Sequence, residues 1–214
     1  MTFIRTLSPD EADGVVTAMY LRQQAAWGFV PNYAKVFSHR PEVLARWGKL
    51  LAEIRRPMSP RRFELVTFAA AHELRHSACA LAHGKKLREF LADDDIVALA
   101  AGRVGGALTD AEQAMVAFAR EVARDASRIT STPVLALTAM GFSDAEVFDI
   151  AATAAGRAFF TKLLDAHGVE PDSPLLELEP ALREALTVGR AIDLRPVVTM
   201  PATPRPGAAA PRVA

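Results

Sequence analysis

The sequence has little cysteine: Cys79 is the only one among its 214 residues. A single cysteine excludes an internal disulfide and a Cys-x-x-Cys redox pair within this chain. The sequence also has no excess of charge, since 25 basic residues balance 25 acidic ones. This balance argues against a nucleic-acid partner, because proteins that bind nucleic acids are usually basic.

No uninterrupted apolar run approaches the ~18 residues of a membrane span, and the first residues do not resemble a signal peptide. We therefore expect no membrane contact and a cytoplasmic protein whose thiol is kept reduced.

Helical signals dominate the chain. We find no convincing period-two strand pattern, whereas Thr109–Glu112 and Ser143–Glu146 each fit a helix-opening capping box. Half of the residues are hydrophobic, which is enough for a sizeable core in one domain. The sequence therefore predicts an all-α fold over residues 1–194. Residues 195–214, rich in proline and alanine, are predicted to form a disordered or loosely draped tail. The other predicted helices cover approximately residues 8–26, 32–38, 41–55, 60–90, 93–101, 132–141 and 180–192.

The most unusual stretch runs from residue 64 to residue 87. It contains the lone Cys79 together with His72, His76 and His83. On one continuous helix these four side chains would form a stripe, because positions three and four apart share a face. Three imidazoles and a thiol are unusual both for a solvated surface and for a plain core. The stripe therefore marks a candidate site.

One interpretation of this stripe is a metal site. Residues 72–76 read H-E-x-x-H, in which two histidines bind zinc and the glutamate acts as a base in zinc peptidases. A peptidase is disfavoured because no sheet is predicted to align a peptide substrate. A metal-dependent enzyme of another kind remains an alternative, with His72, His76, Cys79 and His83 as the ligands.

A second interpretation comes from a family pattern. Glu64, His76, Cys79 and His83 are spaced E-x11-H-x2-C-x3-H. This resembles E-x11-C-x2-C-x3-H, the signature of the AhpD-like alkylhydroperoxidases in the carboxymuconolactone decarboxylase-like superfamily. Further similarities to the peroxidase-related branch extend the resemblance to roughly residues 20–170; they are Gly28–Asn32, Arg40–Glu42 and Gly141–Glu146. The resemblance implies an AhpD-like helical domain that forms trimers or hexamers, with a pocket around the cysteine and no cofactor.

The resemblance also implies roles for these residues. Cys79 stands where the family has its peroxide-attacking thiol, and Glu64 and His83 stand at the proton-relay positions. His76 replaces the other cysteine of the pair and would act as a polariser. The leading hypothesis is therefore an antioxidant, peroxidase-related oxidoreductase with one reactive cysteine, a hydroperoxide substrate and an external thiol reductant.

This hypothesis makes two physical demands. On a continuous helix Glu64 would lie about 22 Å from Cys79, so a relay requires two helices with a break, expected near residues 75–77. The nucleophile must also be the thiolate rather than the thiol, and an ordinary cysteine has a pKa of ~8.5. Protonated His76 or His83, or a helix N-terminus near Ser77, would lower it, and we expect an abnormally low thiol pKa.

Two further alternatives remain open. The first is a cofactor-free decarboxylase, lyase or isomerase acting on a small organic acid, with His76, His83 and Glu64 as acid–base groups. Cys79 would then only line the pocket. The second is a non-catalytic binding or assembly module, in which Cys79 is a small buried hydrophobe.

Overall fold

The computed structural model describes residues 2–103 and 106–201. Within these ranges the chain forms ten α-helices and no strand, which confirms the all-α prediction. No helix in the described ranges is long and apolar enough to cross a membrane. The helices are α1 (Gly14–Trp27), α2 (Asn32–Val36), α3 (Pro41–Arg55), α4 (Pro60–Glu73), α5 (Ser77–Leu87), α6 (Asp93–Ala100), α7 (Asp110–Asp125), α8 (Ser131–Ala139), α9 (Asp144–Ala166) and α10 (Pro180–Leu186).

The predicted first helix is divided in the structure. Ser8 and Glu11 do form a capping box, but they cap only a 3-10 turn over Pro9–Glu11. Asp13 is extended and Gly14 has a positive φ of 45°, a conformation that glycine adopts without steric cost. The chain changes direction there, so α1 begins at Gly14 rather than at residue 8.

The expected break in the central stretch is confirmed. α4 ends at Glu73 and α5 begins at Ser77. Between them Arg75 takes a left-handed backbone conformation with φ 56°, which is uncommon for a residue with a side chain. Gly189 packs on this turn, donating its N–H to Ser77 Oγ at 2.8 Å, and a Cβ at residue 189 would overlap the Arg75 carbonyl oxygen.

The core is organised around α4. Nine successive α4 residues, Phe63–Ala71, are buried, because α5, α7 and α9 pack around this helix. Ala69, Ala70 and Ala71 have small side chains that let the neighbouring helices approach closely. A second apolar cluster joins α1, α2 and the C-terminal half of α9, and it includes Cys79 and Phe160. The candidate site lies in this second cluster.

The start of the predicted tail contacts the domain. The Val30 N–H donates to the Val198 carbonyl at 2.8 Å, and the Met200 N–H donates to Gln24 Oε1 at 2.6 Å. Met200 is buried. The backbone of residues 198 and 200 is therefore hydrogen-bonded to the domain, at residues 30 and 24. Residues 202–214 lie outside the described ranges, and the domain boundary at residue 194 stays a prediction.

Candidate active site

A cavity of about 740 Å³ opens between α1, α3, α5 and α9. His76, Cys79 and His83 all line it, so the structure brings together three of the four predicted catalytic residues. The fourth, Glu64, lies behind His83 and is only 4% exposed. Much of the remaining wall is aromatic and is formed by Trp27, Phe29, Tyr33, Trp47 and Phe160.

Cys79 is the third residue of α5 and is 5% exposed. Its backbone N–H donates to His76 Nδ1 at 3.1 Å, and Arg157 Nη1 donates to its Sγ at 3.5 Å. Burial raises the pKa of the thiol, and the nearby guanidinium of Arg157 only partly opposes this effect. The expectation of an abnormally low thiol pKa is therefore wrong for the unliganded site, since desolvation disfavours the thiolate.

His83 and Glu64 form a buried pair between α5 and α4, with 2.6 Å between Nδ1 and Oε2. Burial and the Arg157 charge lower the pKa of His83 to about 4. Burial alone would raise the pKa of Glu64, but its hydrogen bond with His83 and the nearby positive charges lower it. At neutral pH a carboxylate therefore accepts the Nδ1–H of a neutral imidazole, and His83 Nε2 carries the basic lone pair.

His76 caps α5 and is 1% exposed. Burial lowers its pKa to about 4, so it is a neutral imidazole at physiological pH. Because Nδ1 accepts the N–H of Cys79, the ring proton resides on Nε2. His76 therefore brings a neutral hydrogen-bond donor to the cavity, not the positive charge that would favour a thiolate.

Arg157 is the site residue that the sequence analysis missed. It projects from α9 and is 4% exposed. Its guanidinium lies 5.6 Å from the ring centroids of both Trp47 and Phe160. Its contact with Cys79 spans 78 positions of sequence, and no local spacing reveals such a contact. The one available signal was an arginine amid the apolar and small residues of A-A-G-R-A-F-F.

His72 and Glu73 lie apart from this cavity. His72 tilts against the Phe68 ring on α4, and Glu73 pairs with Arg124 at 2.6 Å. The predicted stripe is not formed, because the turn at residues 74–76 separates α4 from α5. Across the described residues no group of three or more His, Cys, Asp or Glu side chains could hold a metal ion. This corrects the candidate ligand set that included His72.

The raised thiol pKa gives a direct prediction. Alkylation of Cys79 by iodoacetamide should rise with pH to an inflection above the ordinary value of about 8.5. Arg157→Met should move the inflection still higher, because it removes the charge that favours the thiolate. Arg124→Met, which alters an exposed arginine of α7, is the control and should leave the inflection in place. An inflection clearly below 8 in the unaltered protein would contradict this electrostatic description.

Comparison with known proteins supports the fold. No protein-family model and no curated protein gives a significant match to the sequence. Among solved structures, the chain is similar to the alkylhydroperoxidase AhpD core of an uncharacterized peroxidase-related protein from Ralstonia eutropha JMP134. The TM-score is 0.69 at 20% identity, over 81% of this chain and 94% of that one. An uncharacterized peroxidase-related protein from Silicibacter sp. TM1040 gives 0.66 at 20% identity, over 80% and 94% of the two chains.

A third similar structure is the apo form of the debrominase Bmp8. Its TM-score is 0.66 at 16% identity, over 86% of this chain and 96% of that one. A cysteine-to-alanine variant of that debrominase was solved in complex with 2,3,4-tribromopyrrole, and it is similar to this chain with a TM-score of 0.65. At these identities the comparisons establish the fold alone. The chain therefore has the all-α fold of the AhpD-like, peroxidase-related proteins.

Proposed function

We propose that the protein is a peroxidase-related oxidoreductase in which Cys79 reduces an organic hydroperoxide. The observation that carries this proposal is the composition of the cavity wall. A lone thiol meets a guanidinium at 3.5 Å, and one helical turn further His83 is held by the buried carboxylate of Glu64. A nucleophile, a base and an orienting carboxylate are the parts that activated nucleophiles require. The names of two similar structures, both peroxidase-related, are compatible with this chemistry.

The first half of the reaction uses these groups in sequence. His83 Nε2 accepts the thiol proton, while Glu64 holds the opposite ring nitrogen and steadies the imidazolium that forms. Arg157 stabilises the thiolate at Sγ. The thiolate attacks the terminal peroxide oxygen and the O–O bond breaks. Cys79 becomes a sulfenic acid, and the departing alkoxide takes the proton from His83 and leaves as an alcohol.

The second half needs an external reductant, because this chain has no second cysteine. One thiol molecule condenses with the sulfenic acid, forming a mixed disulfide and releasing water. A second thiol molecule attacks the mixed disulfide, which restores Cys79 and releases an external disulfide. A reducing cytoplasm would supply such thiols. We further propose a homo-oligomer, trimeric or hexameric as the resemblance implies.

The proposal is tested by steady-state turnover. The purified protein should consume cumene hydroperoxide in the presence of dithiothreitol and form an equimolar amount of cumyl alcohol. Protein treated beforehand with iodoacetamide under conditions that alkylate Cys79 is the control and should not turn over. A rate no higher than that of dithiothreitol alone would reject the proposed activity.

The raised thiol pKa also favours a second candidate, a cofactor-free lyase or isomerase acting on a small organic acid. In that case His83 Nε2 is the general base, and a protonated thiol only lines the cavity. One variant distinguishes the two candidate functions. Cys79→Ala would preserve an acid–base activity but abolish hydroperoxide reduction.

A further inference from the structure

Two residues that line the cavity each carry a buried hydrogen-bond donor that lacks an acceptor. The two donors are Nε2 of His76 and Nε of Arg157, neither of which has a partner among the described residues. Both side chains are more than nine-tenths buried, and both line the cavity. The tautomer of His76 is fixed by the N–H of Cys79, so its Nε2 bears a hydrogen.

Unpartnered groups of this kind are exceptional in folded proteins, where buried polar atoms are almost always hydrogen-bonded. Arg157 adds a charge, since arginine stays protonated in proteins. No described carboxylate lies within ion-pair distance of its guanidinium, whose contacts are Sγ of Cys79 and the faces of two aromatic rings. A buried charge without a counter-ion is costly for the fold. An anion that enters the cavity would relieve this cost.

The rest of the cavity suits an apolar body attached to that anion. The Trp47 and Phe160 rings are stacked, with centroids 4.3 Å apart, and Arg157 lies over the faces of both. Other apolar lining residues extend this surface; they are Met19, Leu44, Leu164 and Val169. The charged lining residues away from Arg157 are mixed in sign, since the exposed Lys85 and Lys86 line the cavity together with the carboxyl residues Glu89, Glu170 and Asp172. The preference for an anion therefore depends on Arg157 and His76.

We infer that the cavity takes an amphipathic organic anion, whose carboxylate binds between Arg157 and His76 and whose apolar body lies along Trp47 and Phe160. A guanidinium matches a carboxylate in geometry and charge, and the imidazole N–H supplies one further hydrogen bond. Under the proposed function such an anion, bearing a hydroperoxide group, would also be the substrate class, and this part of the inference rests on the proposed function. The binding claim does not, because it depends only on the two donors and the aromatic wall.

Ligand binding in the cavity can be followed by the fluorescence of the tryptophans that line it. The chain has two tryptophans, and both Trp27 and Trp47 line the cavity. Naphthalene-2-carboxylate and its uncharged isostere naphthalene-2-carboxamide can therefore be titrated against tryptophan fluorescence. We expect the carboxylate to bind about ten- to a hundredfold more tightly than the carboxamide, since hydrogen bonds to a charged group are strong. Equal affinities would overturn the inference without any variant being made.

Substitutions then identify the side chain that is responsible for the preference for the carboxylate. Arg157→Met should abolish the preference for the carboxylate while leaving the carboxamide affinity within about threefold, and Arg157→Lys should retain part of the preference. Arg124→Met is the matched control and should keep the full preference. A preference that survives Arg157→Met would show that surface lysines attract the anion and would reject the proposed subsite.

A last variant separates this inference from the proposed function. Cys79→Ser should keep the preference for the carboxylate even though it cannot form a sulfenic acid. If the unaltered protein fails to reduce hydroperoxides but both proteins prefer the carboxylate, only the proposed function is lost. If turnover is present but the preference is absent, only the anion subsite is lost.

Discussion

Cys79→Ser is expected to lower hydroperoxide turnover by a factor of about 1,000 or more, because removal of an enzymatic nucleophile usually costs at least this much. A hydroxyl has nearly the shape of the thiol and can still contact Arg157. It cannot accept the peroxide oxygen as a sulfenic acid. The measurement is kcat/KM for cumene hydroperoxide with dithiothreitol in excess. No other cysteine exists in the chain to give a background rate.

The control for this variant is a binding measurement that shows whether its cavity is intact. Cys79→Ser should bind naphthalene-2-carboxylate as the unaltered protein does, which would show that the lost turnover is chemical rather than structural. Turnover that stays within tenfold of the unaltered protein would contradict a cysteine nucleophile. That result would favour acid–base chemistry at His83, and loss of activity in His83→Asn would support it.

Glu64→Gln should have the second-largest effect, a loss of about a hundredfold in kcat/KM. The carboxylate of Glu64 fixes the Nδ1–H tautomer of His83 and stabilises the imidazolium during the reaction. An amide is neutral, and its NH2 group can donate to Nδ1 and move the ring proton to Nε2. Nε2, the nitrogen that we propose accepts the thiol proton, would then be protonated and unable to act as a base.

The matched control is Glu73→Gln, since Glu73 lies on the same helix but pairs with Arg124 outside the cavity. Its turnover should match that of the unaltered protein. An equal loss in both variants would mean that the effect comes from the stability of α4 and not from the relay.

The pH profile of the unaltered protein adds an independent check on the relay. The pKa of His83, lowered to about 4, keeps the imidazole neutral above roughly pH 5. Turnover should therefore show no fall attributable to a histidine between pH 8 and pH 5, and it should decline only as the pH approaches 4. A fall centred near 6.5 would indicate an ordinary, solvated histidine instead.

Local sequence rules predicted much of the fold. The capping boxes at Thr109 and Ser143 begin α7 and α9 as expected, because a capping box depends only on residues three apart. The break after Glu73 followed from helix length and from the distance between Glu64 and Cys79. No glycine or proline marks this break, because Arg75 itself takes the left-handed conformation.

The chemistry of the site was harder to predict because it depends on tertiary packing. The sequence places Arg157 far from Cys79, and only the packing of both α5 and α9 against α4 brings the guanidinium to the thiol. The thiol pKa was predicted in the wrong direction for a related reason. The spacing of His76 and His83 suggested positive charge near Cys79, but burial keeps both imidazoles neutral.

The central claim is that Cys79 is oxidised by a hydroperoxide inside this cavity. It is tested most directly by one equivalent of cumene hydroperoxide added to reduced protein in the presence of dimedone, a reagent that traps sulfenic acids, followed by mass spectrometry of the peptide that contains residue 79. Hydroperoxide reduction by Cys79 predicts one dimedone adduct at this residue, with loss of the hydroperoxide and formation of an equal amount of cumyl alcohol. An unmodified Cys79 beside unconsumed hydroperoxide would contradict it.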